Sequence, residues 1–437
     1  MRGLTSTVVL VVLLGGLVGY IYFVDANRPP EDPNAKPKAF ALSAETVDEL
    51  EIRNANGETS RVQRAGDTWQ LLAPEKAEAD AGVVGTVTSN LASLDVQRVV
   101  DENPTDLAQY GLSPARIDVG FRQRDQKEFE RLLVGEKTPT GGELYAKRPN
   151  EQRVFLISSF LDAIFNKTPF DLRDKAMLKF ERDKVEGVEV VRGASTTSFA
   201  RNGNDWRIVR PVAARADYAA AEGLLTRLSS TNMLKVVASD ATDLRQYGLD
   251  RPSLTATVTA GSAKATLLLG RTADDGGVYA KDASRPVVFT VEQALVTDLG
   301  KDPLEFRRKD LFDARSFSTN RFELRRGDQT VAFEKTDADG KVTWKNAAGQ
   351  NADTAVVEEV LTKLSTFQAE AFQAAAPASL RTPVLTVVIR FDENRTETVA
   401  FGRAGSDVFA SRGDEPGAAR ITATVFDDAM KAVDTLK

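Results

Sequence analysis

The only three tryptophans of this 437-residue chain, Trp69, Trp206 and Trp344, stand 137 and 138 residues apart, and each heads the same pattern. A short stretch follows each one, then an aspartate (Asp80, Asp217, Asp353), then a helical run. Between the first two units the match is nearly literal. Thr105-Asp-Leu-Ala-Gln-Tyr-Gly-Leu112 returns as Thr242-Asp-Leu-Arg-Gln-Tyr-Gly-Leu249. The body of the chain is therefore one module written three times. A period of about 135 residues is domain-sized, which points to tandem domains and not to a thin-repeat solenoid.

Each module opens with strand patterns. Val47-Asp-Glu-Leu-Glu-Ile-Arg53 alternates, Asn54-Ala-Asn-Gly57 reads as a turn, and Thr59 to Gln63 reads as the partner strand. The tryptophan strand comes third. The helix then carries apolar residues seven and eleven places after its aspartate: Val87 and Leu91, Leu224 and Leu228, Val360 and Leu364. Positions four apart share a helix face, so this is a core-facing stripe kept in register. The aspartates are natural N-caps, whose carboxylate accepts the free amide hydrogens of the first turn.

Gly111 and Gly248 are expected to end a short helical turn in the left-handed conformation. The third module keeps only the leucine and proline of that element, in Leu380-Arg-Thr-Pro383. Paired strands follow each time, with Gly135 to Gly142 and Gly270 to Gly277 read as hairpin loops. The expected class is α+β: three tandem domains, each an antiparallel sheet with an amphipathic helix. The boundaries are placed at residues 39–177, 178–313 and 314–437, the last divergent.

Leu4 to Val24 is 21 residues without a charge. As a helix it spans roughly 31 Å, close to the ~30 Å of a bilayer core. Tyr20, Tyr22 and Phe23 sit at its end, where interfacial aromatics belong. Arg2 precedes it and Asp25 follows, which favours an N-inside, C-outside single pass. A cleaved signal peptide fits less well, because the apolar run is too long and its end is bulky. Gly15 and Gly19 form a GxxxG that suits packing against another helix. Residues 1–25 are thus read as an anchor. Residues 26–38, rich in proline, are read as a semi-rigid spacer.

Composition narrows the chemistry. There is no cysteine and no histidine. That removes thiol catalysis, thiolate metal sites, the Ser-His and Cys-His dyads and the commonest metal ligand. With a net charge of −6 and interspersed charges, no basic stripe for nucleic acid is present. Gly135-Glu-Lys-Thr-Pro-Thr-Gly-Gly142 lacks the P-loop order, and Asp337-Ala-Asp-Gly340 lacks the length of a calcium loop. No catalytic residue, metal ligand or cofactor site stands out. Tyr110 with Gly111 and Tyr247 with Gly248 are the candidate partner or structural motif. Trp69, Trp206 and Trp344 are read as core anchors, one large aromatic per module.

The whole arrangement resembles a family of bacterial membrane-anchored proteins classed as a domain of unknown function. The shared features are the anchor ending Tyr20-Ile-Tyr-Phe23 and the Gly-x-x-Trp strand (Gly66/Trp69, Gly203/Trp206). They also include Asp-Leu-x-Gln-Tyr-Gly-Leu, Leu-Leu-x-Gly (Leu132 to Gly135, Leu267 to Gly270) with a downstream Tyr-Ala, and Pro169-Phe-Asp-Leu-Arg173. Members are often encoded beside gliding-motility-type ABC transporter subunits. The resemblance therefore implies a non-enzymatic accessory of an ABC transporter, on the periplasmic side of the bacterial cytoplasmic membrane, with protein partners. Two alternatives are a binding or scaffolding module for cell-wall glycan or another envelope polymer, and a glycan hydrolase working through a carboxylate pair.

Overall fold

The computed structural model describes Tyr22 and residues 36–338, 341–392 and 394–436. Leu4 to Val24, with Gly15 and Gly19, lies outside the described residues apart from Tyr22, and no described helix is long and apolar enough to cross a membrane. By compactness the chain divides into two units, one ending at Asp174 and one beginning at Lys175. The second unit holds two of the three modules.

In the first module the strands are β1 (Val47–Arg53), β2 (Thr59–Ala65), β3 (Thr68–Ala73), β4 (Ala77–Glu78), β5 (Arg98–Asp101), β6 (Ile117–Gln123), β7 (Glu130–Lys137), β8 (Glu143–Lys147) and β9 (Val154–Ser158). They form one antiparallel sheet in the order β4-β3-β2-β1-β6-β7-β8-β9-β5. Helix α1 (Ala81–Ala92) connects the two edge strands, β4 and β5. The second sheet, from Gly187 to Val291, and the third, from Thr319 to Ile421, have nine strands in the same order. Their helices are α2 (Tyr218–Ser230) and α3 (Thr354–Ser365).

The helices bury the same four positions after the capping aspartate. These are Val84, Val87, Thr88 and Leu91 in α1; Ala221, Leu224, Leu225 and Leu228 in α2; and Val357, Val360, Leu361 and Leu364 in α3. In the first module this stripe packs on Leu50, Val62, Trp69, Leu71, Phe121 and Leu132 of the sheet. Each large apolar side chain so buried contributes about 1.5–3 kcal/mol.

The recurrence of tryptophan with aspartate has a backbone cause. The Ala79 N–H donates to the Trp69 carbonyl at 2.9 Å, and the Asp80 N–H donates to the Leu172 carbonyl at 2.8 Å. The second module repeats both bonds, from Ala216 to Trp206 at 3.0 Å and from Asp217 to Phe306 at 2.7 Å. Asp80 Oδ1 then accepts the Gly82 and Val83 N–H groups, Asp217 accepts Ala220, and Asp353 accepts Ala355 and Val356. One aspartate thus ties together the tryptophan strand, the helix and the closing Pro-Phe-Asp-Leu segment.

Several boundaries differ from the sequence reading. The segment leading into each module pairs with the stretch after its helix, through bridges Lys38–Asp95, Ala176–Asn232 and Asp310–Gln368. Residues 36–38, 175–177 and 309–313 therefore belong with the modules they lead into. Strands β4, β5 and β9 carry no readable alternation. Two-residue β4 is too short, and β9 is apolar from Val154 to Ile157 because both its faces are covered. Phe155 and Ile157 lie in the main core, while Val154 lies in a satellite cluster with Leu112 and Ala115.

Gly135 and Gly270 are not in hairpin loops. They lie inside strands, next to register shifts after Val134 and Leu269. A Cβ at Gly135 would overlap the Tyr110 carbonyl oxygen, and one at Gly270 the Tyr247 carbonyl oxygen. In the third module Gly402 meets Ser379 in the same way. Gly135→Ala is accordingly expected to destabilise the chain by roughly 2–4 kcal/mol. Gly85→Ala, in α1 with open space around it, is expected to stabilise by about 0.5–1 kcal/mol. Denaturant melts of the two variants check both signs.

Candidate functional site

The structure separates the residues singled out from the sequence. Trp69, Trp206 and Trp344 are 4%, 3% and 0% exposed, so none presents a stacking face to solvent. Trp206 Nε1 donates to Glu222 at 2.8 Å. Trp344 Nε1 has no hydrogen-bond partner among the described residues.

Gly111 and Gly248 have φ of 67° and 68°, the left-handed conformation that ends each short 3-10 turn. Tyr110 and Tyr247 are half-buried and pack on Tyr145 and Tyr279, with ring centroids 5.0 and 5.1 Å apart. Tyr110 Oη donates to Asp101 at 2.9 Å. That bond, with burial, holds the Tyr110 phenol above its ordinary value. The Tyr-Gly-Leu element therefore covers the outer face of the sheet, with Leu112 at the centre of the satellite cluster.

The most heavily charged buried site joins the second module to the third, and sequence reasoning missed it. It begins with local structure. In each module an arginine from the hairpin after the Tyr-Ala (or Phe-Ala) strand holds the carbonyl of the lead-in segment. Arg148 donates to Ala39 at 3.0 Å, Arg285 to Ala176 at 2.9 Å, and Arg412 to Leu311 at 2.6 Å. Modules one and three place a glutamate three residues after that arginine (Arg148/Glu151, Arg412/Glu415). Module two reverses the pair, as Asp282/Arg285, linked at 3.1 Å. The readable signal was this charged pair, three residues apart in each hairpin.

In the third module Glu415 receives the second. Arg215 donates to Glu415 Oε1 from its backbone N–H at 3.0 Å and from Nε at 2.7 Å. Arg307 Nη2 donates to Oε2 at 2.8 Å, and its guanidinium lies over the Phe372 ring, 4.2 Å from the centroid. Arg215 Nη1 also reaches Asp313 at 2.6 Å, and Arg308 reaches it at 2.9 Å. Arg412 completes the cluster, donating to Glu397 at 2.9 Å, while Glu397 accepts the backbone N–H groups of Asp313 and Ala314. Arg215, Arg307, Arg412, Glu397 and Glu415 are all buried.

Burial alone would push the Glu415 carboxyl up. The Arg215 charge and the hydrogen bonds from Arg215 and Arg307 outweigh it and hold the group below the usual carboxylate range. Asp313 is held low in the same way, by Arg215 and then by Arg308 and Arg412 against its own burial. These carboxylates are acceptors locked onto arginines, an arrangement suited to holding two domains together. Among the described residues no acidic cluster is arranged to hold a metal ion.

The model of a family described as a domain of unknown function (DUF4340) matches residues 69–207 and 206–383. The chain belongs to that family. Each DUF4340 segment begins at a tryptophan and the first ends just past the next, so the family unit runs out of phase with the folded module. The first match runs from the third strand of the first sheet into the third strand of the second, and the second match runs on past the helix of the third module.

No curated protein matches the chain significantly. Among solved structures, a DnaN sliding clamp (DNA polymerase III subunit beta) from Pseudomonas aeruginosa bound to griselimycin aligns at 8% identity and a TM-score of 0.16. The alignment covers 88% of this chain and 93% of the clamp. A second structure of that subunit from the same organism gives 9%, 0.17, 87% and 93%. Transferrin binding protein B of Neisseria meningitidis gives 11%, 0.07, 83% and 57%. Likenesses this slight carry no weight for fold or function.

Removing one partner of a buried ion pair leaves the other uncompensated. Glu415→Gln is expected to lower the stability of the second unit by roughly 3 kcal/mol in denaturant unfolding of the full chain. The low carboxyls add a pH dependence. In the unfolded chain such groups titrate near 4, so their stabilisation is complete above that range. It is lost as pH falls through it toward the lower folded values. Unfolding measured from about pH 5 downward should show the loss, with a shallower slope in Glu415→Gln.

Proposed function

We propose that this DUF4340 protein is a non-enzymatic, membrane-anchored envelope component, an accessory or adaptor of an ABC transporter on the periplasmic face of the bacterial cytoplasmic membrane. The observation that carries the non-enzymatic part is the Arg215–Arg307–Glu415 lock. The cluster joins module to module, and its carboxylates are taken up by arginines. Such a lock makes the second and third modules a stiff arm, and a stiff arm loses little conformational freedom when it holds a partner. The anchor and the transporter rest on Leu4 to Val24 and on the family resemblance set out above.

The glycan-binding reading is less favoured, because the three tryptophans that would stack on sugar rings are buried. The hydrolase reading is less favoured too, since Glu397, Asp313 and Glu415 are held by arginines and backbone N–H groups. Crosslinking in native membranes followed by mass spectrometry tests the accessory role. Transporter subunits should be recovered with the intact chain, and more weakly with Glu415→Gln. Recovery of only abundant envelope proteins, alike from both, would count decisively against it.

A further inference from the structure

The second module has a cavity of about 550 Å³ between the turn at Arg192 to Ser195 and the segment Leu299 to Leu304. That volume is in the range of small-molecule sites. Its origin is local. In the first module the corresponding turn is longer, Asn54 to Glu58, and the Ala55 N–H donates across the gap to Asn166 at 2.9 Å. In the third module Arg326 reaches across to Asp434. In the second module the turn is shortened to Gly193-Ala194. Gly300 stands where Asn166 does, leaving only a 3.3 Å contact from Arg192 Nη1 to the Gly300 carbonyl.

The lining has a distinct chemistry. Val190, Ile208, Leu299 and Leu304 supply apolar surface, and Ser195 and Thr197 supply hydroxyls. Arg192 and Lys301 stand at the exposed rim. Arg192 has no acidic partner among the described residues, whereas Lys301 faces Asp298 at 3.3 Å. Arg307 also lines the cavity. It is 4% exposed, and its buried Nε has no hydrogen-bond partner among the described residues. The one carboxylate on the lining, Asp302, accepts the Leu304 N–H at 2.8 Å.

We propose that this cavity binds a small organic anion, an apolar body carrying a phosphate or carboxylate, with the anionic group held by Arg192 and Lys301. Arg307 would set the far end of the site, so the ligand would touch a residue of the lock between modules. The proposal is independent of the accessory reading.

The chain has no cysteine, so Ser195→Cys places a single reporter thiol on the wall. In membranes holding the full chain, 1-naphthyl phosphate is expected to slow alkylation of that thiol by N-ethylmaleimide roughly tenfold. Inorganic phosphate and 1-naphthol, the two halves of the probe, should slow it little. Adding Arg192→Ala and Lys301→Ala should remove the protection while leaving the thermal midpoint unchanged. Equal protection by either half alone, protection that survives the double substitution, or no protection at all would overturn the proposal. A short-chain lysophosphatidic acid that protects as well as 1-naphthyl phosphate assigns the natural ligand to lipid. If it fails where 1-naphthyl phosphate succeeds, the ligand is a soluble metabolite.

Discussion

Each module depends on one backbone junction, where the capping aspartate meets the tryptophan strand. Helix N-termini leave amide hydrogens without partners, and a sheet edge leaves a row of unpaired groups. At Asp80 both needs are met at once. Its carboxylate caps α1, its own N–H bonds to Leu172, and its neighbour Ala79 bonds to Trp69. The helix is thereby fixed to the sheet in one register. That register decides which residues of α1 face the core, and the same four positions face it in all three modules.

A second constraint acts between modules. Burying charges is costly unless each finds a partner, and at the junction of the second and third modules every carboxylate meets an arginine. The module sequences have diverged to permit this. Module three carries Glu415 where module two carries Arg285, and module two supplies Arg215 and Arg307 as donors. Such complementarity favours one order of modules over others, because like charges brought together would be unpaired and buried. The cavity beside the lock also comes from divergence. A turn shortened at Gly193-Ala194 and a glycine at position 300 open space that Asn166 bridges in the first module.

The legible parts were those with strong local periodicity or punctuation. The helical stripe, the capping aspartates and the left-handed glycines at Gly111 and Gly248 each follow from a few adjacent residues. The obscure parts were those whose partners lie far along the chain. Gly135 and Gly270 looked like loop glycines because nothing adjacent shows that a carbonyl 23 to 25 residues earlier presses on them. Strand β9 lost its alternation because the Tyr-Gly-Leu element covers its second face. Arg215 and Glu415 are 200 residues apart, and the charged pair in the hairpin does not show which distant arginine Glu415 will meet.

The sequence by itself determined that one α+β module is written three times, with a tryptophan and a capped helix in each. Repetition and short-range periodicity are properties of the chain order and need no third dimension. Only the tertiary structure decided that the tyrosines roof the sheet and that arginines of one module close on a glutamate of the next. Burial and charge pairing depend on which distant residues are brought together, and that is set by the packing of whole sheets, not by the spacing of residues within one.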